Sequence, residues 1–575
     1  MPKDWSIKKT EKNPQEVFSE ALRKDYSFII LKILLERGLD TDEKIRAFFD
    51  FDYDRDILDP LSFSDMEKAV ERISRSKETG ERIAIFGDYD ADGVTATALL
   101  FEALLDLGFE KPLCYIPERQ SEGYGLNGEA LAFLKKEGAS LIITVDCGIS
   151  NAEEVRTAKD LGMEVIITDH HQIPDKLPEA LAIINPHLPG CGYGFPDLSG
   201  VGVAFKLAMA LYQKQEPGKI DQLKWALDLV GIGTVADCVP LVGENRILVR
   251  YGLVVLSKTR RAGIKELFQV GRINISENDP ADTHKVAFQI SPRINAAGRM
   301  DHANAAFNLI LEKDRVRART LALELEDKNK ERQKITEEIV REVSTLAENS
   351  FRDKKHIVAV NPHWSVGLLG LSAGKIAEKY QKPTFLGQEK ESGEIVGSFR
   401  SIPELNIMEV LRECQDLFLK FGGHAQAAGV SLRKENLEDF YKRFSQSVEK
   451  RLEGVNISKK IEADAEIRAE EIDWELVEDI EKMAPFGEGN REPVFILRGV
   501  LVEDVKIVGN GSKHLKLWLR GADSPKIFES IGFGMGEYWS DLAKNDKIDI
   551  VFSLSSDEWN GNKKIQLKLI DIKND

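Results

Sequence analysis

Cysteine is scarce in this chain: Cys114, Cys147, Cys191, Cys238 and Cys414 stand far apart in 575 residues. None has the close spacing of a structural zinc site, and an odd number without a framework points to reduced thiols in the cytoplasm. Nowhere do 18 apolar residues run together, so no membrane-spanning helix is expected. The opening MPKDWSIKKTEKN has no apolar run, so no secretory leader is expected either. The GxxxxGK[ST] loop that cradles ATP phosphates is absent, as are a nucleophile elbow and the twelve-residue calcium loop ending in glutamate. No internal repeat or low-complexity tract stands out. Positive charge is also in deficit, with 79 Lys and Arg against 96 Asp and Glu, a net charge of −17. Taken alone, that sum argues against a nucleic-acid partner, because phosphate backbones attract positive surfaces. It does not decide the matter. A metal centre concentrates carboxylates that bound ions neutralise, and a basic groove can coexist with an acidic exterior.

What is present is a soluble globular balance, 42% hydrophobic and 30% charged, in a chain long enough for three or four domains. Residues 1 to about 75 look helical and auxiliary. From RIAIFGDYD (82–90) onward, short apolar runs alternate with helical stretches: PLCYIP (112–117), SLIITVDCG (140–148), EVIITDHH (164–171) and ALAIIN (180–185). Continuous apolar strands spaced by helices predict a largely parallel sheet covered on both faces, with ligands at the carboxyl ends of its strands. Between Arg299 and His356 there is neither proline nor glycine. Leu321, Leu325, Ile335 and Ile339 amid dense charge predict one long helix there, about 55 Å at about 1.5 Å per residue. A second α/β unit follows over roughly 350–455, with GGHAQAAG (422–429) expected as a glycine-rich helix entry. From about residue 460 the period changes, and five segments with partial alternation predict a small β-barrel.

GDYDADG (87–93) is the sharpest local signal. It sets Asp88, Asp90 and Asp92 within five residues directly after a buried strand. Carboxylates this close repel one another unless cations or hydrogen bonds compensate them, and oxygen ligands of this kind suit magnesium or manganese. Asp146 ends a second strand, and Asp169, His170 and His171 end a third. An isolated strand-end aspartate often caps a helix. Three parallel-strand ends bearing metal-competent groups point instead to two hard cations about 3.5–4 Å apart, the arrangement of two-metal phosphodiester hydrolysis.

GDYDADG, TVDCG, TDHH and GTVAD resemble the successive motifs of the DHH phosphoesterase superfamily. With GYGLN, SPRINAAGRM, GGHAQAAG and APFGEGN, the resemblance narrows to its bacterial single-strand-specific 5′→3′ DNA exonucleases and covers the chain from about residue 60 onward. It implies an α/β protein: a DHH-type parallel-sheet core joined by a long helix to a second α/β domain, plus a C-terminal OB-type β-barrel. The implied division is 1–75 auxiliary, 76–308 DHH phosphoesterase, 309–349 connecting helix, 350–455 DHHA1-like substrate-binding domain and 456–575 OB-type domain.

The resemblance further implies two divalent cations, Mn2+ or Mg2+. Asp90 and Asp92 serve different ions, Asp146 bridges them, and His170 and Asp237 complete the second ion's set. Asp88 stands nearby, Asp169 orients a ligand, and His171 contacts the scissile phosphate or helps the leaving group. Ser398, Arg400 and Ser401 in GSFRS (397–401), with His424, are implied to hold a terminal 5′-phosphate. Arg293 and Arg299 are candidate backbone-phosphate contacts, or else salt bridges at a domain boundary. Lys513, Lys516 and Trp518 are candidate strand contacts on the barrel, with Trp559 nearby. Two residues depart from the family pattern: Phe399 stands where a small residue is usual, and Ser365 follows Trp364 where histidine is common. The implied activity releases 5′-mononucleotides from single-stranded DNA in repair and recombination. The protein would act as a cytoplasmic monomer with a helicase and a single-strand-binding protein as partners, and without a membrane. The alternatives are a DHH phosphodiesterase of cyclic dinucleotides or short oligonucleotides, and an inactive single-strand-binding scaffold.

Overall fold

The computed structural model describes residues 4–574 apart from 9–11, 120, 278, 458–459, 510, 512, 522–523, 537–538, 540–541 and 560–561. Two units form. One comprises Ile57–Pro240 and Glu244–Ile457; the other gathers the N-terminal stretch to Asp56, Leu241–Gly243 and the chain beyond Ile457. Among the described residues, no helix is long and apolar enough to cross a membrane.

The larger unit begins with a five-stranded sheet. Its strands are β1 (Arg82–Gly87), β2 (Leu113–Tyr115), β3 (Ala139–Val145), β4 (Glu164–Thr168) and β5 (Ala182–Ile184). The order is β2-β1-β3-β4-β5 and every pairing is parallel, as the continuous apolar runs predict. Helices α1 (Ala91–Asp106), α2 (Gly128–Lys136), α3 (Ala152–Asp160) and α4 (Gly200–Gln215) flank it. Helix α1 is buried along most of its length, and α4 packs against it and against β3 and β4. Both sheet faces are therefore covered, which leaves the carboxyl edge open for ligands.

Helices α5 (Leu227–Ala236) and α6 (Ser291–Met300) follow, and then α7 (Arg315–Asn349). Helix α7 has 35 residues, roughly 52 Å at 1.5 Å per residue. Its buried positions include Ala318, Ala322, Leu325, Asn329, Thr336, Ile339, Val343 and Ala347, a stripe at three- and four-residue spacing. That stripe packs on α6 and on α8 (Val366–Tyr380).

The second sheet is made of β6 (Ile357–Val360), β7 (Thr384–Glu389), β8 (Glu394–Arg400), β9 (Phe418–His424) and β10 (Ala427–Arg433), in the order β9-β10-β8-β7-β6. Only β6 and β7 are parallel. Helix α8 lies on one face, and Phe440 and Phe444 of α9 (Leu437–Arg451) pack against the other. Here one expectation is overturned. GGHAQAAG does not open a helix: it is the tip of the β9–β10 hairpin, with His424 opposite Ala427. Gly423 has φ 150, and a Cβ there would meet the Ala428 Cα at 2.5 Å, so the glycine allows two backbones to approach.

In the smaller unit, β11 (Phe495–Val508), β12 (His514–Arg520), β13 (Ile527–Gly532), β14 (Lys547–Trp559) and β15 (Asn562–Asn574) run β11-β12-β13-β15-β14. The β11–β14 pairing closes the barrel and leaves no open edge. Its core continues into the N-terminal helices through Leu22, Ile30 and Leu34, and a strand at Asp4–Ile7 pairs with Lys460–Ala463. APFGEGN has a structural task in this unit. Asn490 donates to the Met483 and Pro485 carbonyls and accepts from Arg37 at 2.6 Å.

Candidate metal centre

The carboxyl ends of β1, β3 and β4 adjoin, and each ends in an acidic group. After β1 the chain turns through Asp88–Asp90 into α1. Asp90 is the helix cap, its Oδ1 accepting from the Asp92 and Gly93 amides at 2.9 and 3.1 Å. The glycine at 93 is obligatory in this turn, since a Cβ would stand 2.6 Å from the Asp88 carbonyl. Asp92, in the first turn of α1, is 1% exposed. Its carboxylate accepts from the Gly200 and Val201 amides at 2.6 and 2.9 Å, at the N-terminus of α4. Asp146 follows β3 with φ 61, a left-handed backbone that Asp tolerates better than most side chains. A Cβ on Gly200 would overlap its carboxylate. Asp237 stands at the C-terminus of α5.

These elements bring the expected residues together. Asp88, Asp90 and Asp146 form one cluster, and Asp92, His170 and Asp237 another, each with ligand atoms within 4.8 Å of one another. His170 Nε2 lies 3.2 Å from Asp146 Oδ1 and 3.5 Å from Asp237 Oδ2, so Asp146 stands between the clusters. Asp88, which the resemblance sets merely nearby, has an oxygen inside the first cluster.

Burial and then neighbouring carboxylates hold Asp88, Asp92 and Asp146 well above the usual carboxylate range, and the same causes push Asp237 up to about 7. Burial, followed by the charge of His171, pushes His170 down to about 4, which leaves its ring neutral with a lone pair to offer. Asp88 Oδ1, Asp146 Oδ1 and His170 Nε2 are buried and make no directed hydrogen bond, although the last two lie 3.2 Å apart. Buried polar atoms rarely go unsatisfied, and this donor set of hard oxygens and one imidazole fits two divalent cations.

His171 belongs to a different device. Its Nδ1 lies 2.7 Å from Asp169 Oδ1, and Asp169 also accepts from the Ile149, His170 and His171 amides. Burial opposes charge on both groups. Their mutual bond outweighs it, pushing His171 up to about 9 and holding Asp169 below its ordinary value. His171 is also within ligand distance of Asp146 and His170, with its Nδ1 engaged by Asp169 and its Nε2 left for another partner. The Tyr124 hydroxyl, from GYGLN, reaches His171 Nδ1 at 3.1 Å and the Asp146 carbonyl at 3.2 Å.

Beside the clusters sits a group of arginines. Arg299 is half-buried, and desolvation followed by the charges of Arg119 and Arg332 pushes it down to about 10, with Arg400 contributing. Arg400 is lowered by burial and then by Arg119. Arg119 stacks 4.9 Å over the Tyr89 ring, and Arg332 Nε is buried without a partner. Cations crowded this way make a recess for an anion. Sequence reasoning missed Arg119 and Arg332. The first lies just before GYGLN, and the second is one of many charges along α7, where only its half-buried place beside Asn329 distinguishes it.

Arg400 donates to Ser398 Oγ at 3.0 Å, and both project from the β8 face covered by α8. Phe399, between them, is 0% exposed and packs on Phe385, Phe440 and Phe444. Its side chain therefore neither narrows the recess nor offers it a stacking face. Ser401 Oγ is bonded to the Leu405 carbonyl, and His424 is exposed two strands away, across Ala427 from Arg400. Arg293 lies elsewhere. Its guanidinium pairs with Glu326 at 2.7 Å and caps the Gln289 and Gly271 carbonyls, the salt-bridge alternative at a domain boundary. Ser365 begins α8 without capping it, while Trp364 is buried and donates to Glu342 at 2.9 Å.

On the barrel, Lys516 and Trp518 share the outer face of β12. The Lys516 ammonium stands 5.3 Å from the Trp518 ring and pairs with Glu529, while Lys506 lies 4.9 Å from the same ring. Lys513 precedes β12 and is exposed. The Trp559 side chain lies outside the described residues.

Three family models match: the DHH family N-terminal domain over residues 82–234, the DHHA1 domain over 353–450 and the RecJ OB domain over 463–571. The single-stranded-DNA-specific exonuclease RecJ of Bacillus subtilis is 38% identical over 99% of this chain, which spans 70% of that protein. The Haemophilus influenzae protein of the same name is 34% identical over 90% of this chain and 92% of its own length. The crystal structure of Thermus thermophilus RecJ in complex with Mn2+ superposes with a TM-score of 0.81 at 28% identity, covering all of this chain and 80% of that one.

Proposed function

This chain belongs to the RecJ family of single-stranded-DNA-specific exonucleases, and from that membership we propose that it hydrolyses single-stranded DNA from the 5′ end, releasing 5′-mononucleotides with the help of two divalent cations. The observation that carries the reading is the pair of ligand clusters at adjoining strand ends, with buried unbonded atoms on Asp88, Asp146 and His170. Asp90 and Asp146 would hold one cation, with Asp88 in reach; Asp92, His170 and Asp237 would hold the other, with Asp146 shared. Mn2+ or Mg2+, the ions of the Thermus thermophilus structures, would neutralise phosphate charge and ease deprotonation of the attacking water.

The chain's own residues do the rest. Protonated His171, fixed by Asp169, presents Nε2–H to the scissile phosphate or its leaving oxygen. Arg400 and Ser398, beside Arg299, Arg119 and Arg332, receive the terminal 5′-phosphate, where arginine gives directional, charge-assisted bonds. Ser401 and His424 flank that anchor, and Lys513, Lys516 and Trp518 on the barrel offer cationic and aromatic contacts to the strand. The same reading has the enzyme work as a cytoplasmic monomer in DNA repair and recombination, on strands supplied by a helicase and bound by a single-strand-binding protein.

The test is strand polarity. With Mn2+ or Mg2+, a 5′ label on single-stranded DNA is expected to appear first in mononucleotides, while 3′-labelled strands shorten progressively from the other end. First release of a 3′ label, or equal degradation of a blunt duplex, rejects the polarity and the strand specificity respectively. A strict limit to dinucleotides would favour the short-oligonucleotide phosphodiesterase instead.

A further inference from the structure

SPRINAAGRM forms α6, and the phosphate-binding role proposed for Arg299 leaves most of the motif unexplained. On one side α6 meets the turn that carries Asp88, Asp90 and Asp92. Asn295 Oδ1 accepts the Ala91 amide at 2.8 Å. Asp90 satisfies the next two amides of α1, so this is the first-turn donor that the turn's own side chains leave open. Three residues on, Gly298 is buried, and a Cβ there would stand 2.5 Å from the Tyr89 carbonyl. On the other side α6 meets the second sheet's domain. A Cβ on Gly367 would stand 2.6 Å from the Arg299 carbonyl, and Arg299 Nη1 lies 3.4 Å from the Gly367 carbonyl. Gly367 opens α8, the helix packed over Ser398 and Arg400. Backbone thus touches backbone on both sides, through glycines that leave no compressible side chain between.

We propose that α6 is a rigid strut that sets the position of the metal-binding turn from the second domain, with Asn295 as its positioning residue. Resting on the reading of Asp90 and Asp92 as cation ligands, the proposal adds what holds them in place. Groups that orient ligands without touching the ion change metal affinity by about 10- to 100-fold when removed. The strut also ties the 5′-phosphate recess to the metal turn, since α8 abuts both Arg299 and Arg400.

The experiment is Mn2+ binding by calorimetry on the full chain without nucleic acid, with melting temperature as the fold control. Asn295→Ala is expected to weaken Mn2+ binding by about tenfold or more, and Asn295→Asp, which keeps the acceptor oxygen, to recover most of it. Gly367→Ala, which meets the Arg299 carbonyl and no candidate cation ligand, is expected to weaken Mn2+ binding in the same direction by pushing α6 toward the turn. Wild-type Mn2+ affinity in folded Asn295→Ala, or in folded Gly367→Ala, overturns the proposal. If Asn295→Ala fails to fold, the Asp variant and Gly367→Ala still decide it. A wild-type protein that binds no Mn2+ would count against the cation reading itself, a separate result.

Discussion

At the scale of the residue, Asp146 stands where one substitution disturbs both clusters. Asp146→Ala is expected to lower single-turnover hydrolysis of a 5′-phosphorylated strand by on the order of 10²-fold or more at saturating Mn2+. A folded variant with near-normal turnover would remove Asp146 from that place. Arg400→Ala should shrink the preference for a 5′-phosphate over a 5′-hydroxyl and leave Mn2+ affinity unchanged, measured on matched strands of either kind. Phe399 separates the two effects. Its ring lies in the core on the opposite face of β8, so Phe399→Ala should cost about 3–5 kcal/mol in urea unfolding with phosphate preference intact. The candidate ligands were legible in the sequence because each sits in a contiguous motif, most of them following a strand and Asp237 closing α5. Arg119 and Arg332 were not, since an isolated arginine gives no sign of which face of the fold receives it. Arg293 shows the converse: motif position suggested phosphate, and the fold brings Glu326 from α7 to hold it.

At the scale of the element, strands with one buried or two buried faces were readable from their periods. Both the parallel sheet and the five-stranded barrel follow from them. The GGHAQAAG hairpin was misread because glycine and alanine carry no period, and small residues suit a helix entry and a tight strand pair alike. The stripe on α7 was hidden for a related reason. It is built from Ala, Asn and Thr as much as from Leu and Ile, so its spacing does not show in hydrophobicity. The N-terminal helices joined the barrel core through contacts hundreds of residues apart, which no local pattern encodes. Close helix approach makes its own prediction at Gly200, the first residue of α4. A Cβ there would overlap the Asp146 carboxylate, so Gly200→Ala is expected to weaken Mn2+ binding in calorimetry, whereas Gly218→Ala, with nothing near its Cβ, should not.

At the scale of the whole molecule, the crowded carboxylates couple stability to acidity. Without metal, Asp237 titrates at about 7 and Asp88, Asp92 and Asp146 also lie above their ordinary values, so the folded state holds protons that the unfolded chain has released. Stability therefore falls as pH rises from the ordinary carboxylate range toward about 7. His171, raised to about 9, extends the loss from its ordinary 6.5 upward, while His170, lowered to about 4, opposes it below 6.5. The melting temperature of the metal-free protein is expected to drop between about pH 5 and about pH 7, and saturating Mn2+ should flatten that slope. A metal-free profile that rises with pH would contradict the buried cluster. The left-handed backbone of Asp146 bears on the fate of the molecule as a whole. Asparagine and glycine accept that conformation best, and each lies a single base change from an aspartate codon. The substitutions most able to silence catalysis are thus among those the fold tolerates most easily. A lineage released from selection on hydrolysis would drift first toward an intact, strand-binding protein that cuts nothing.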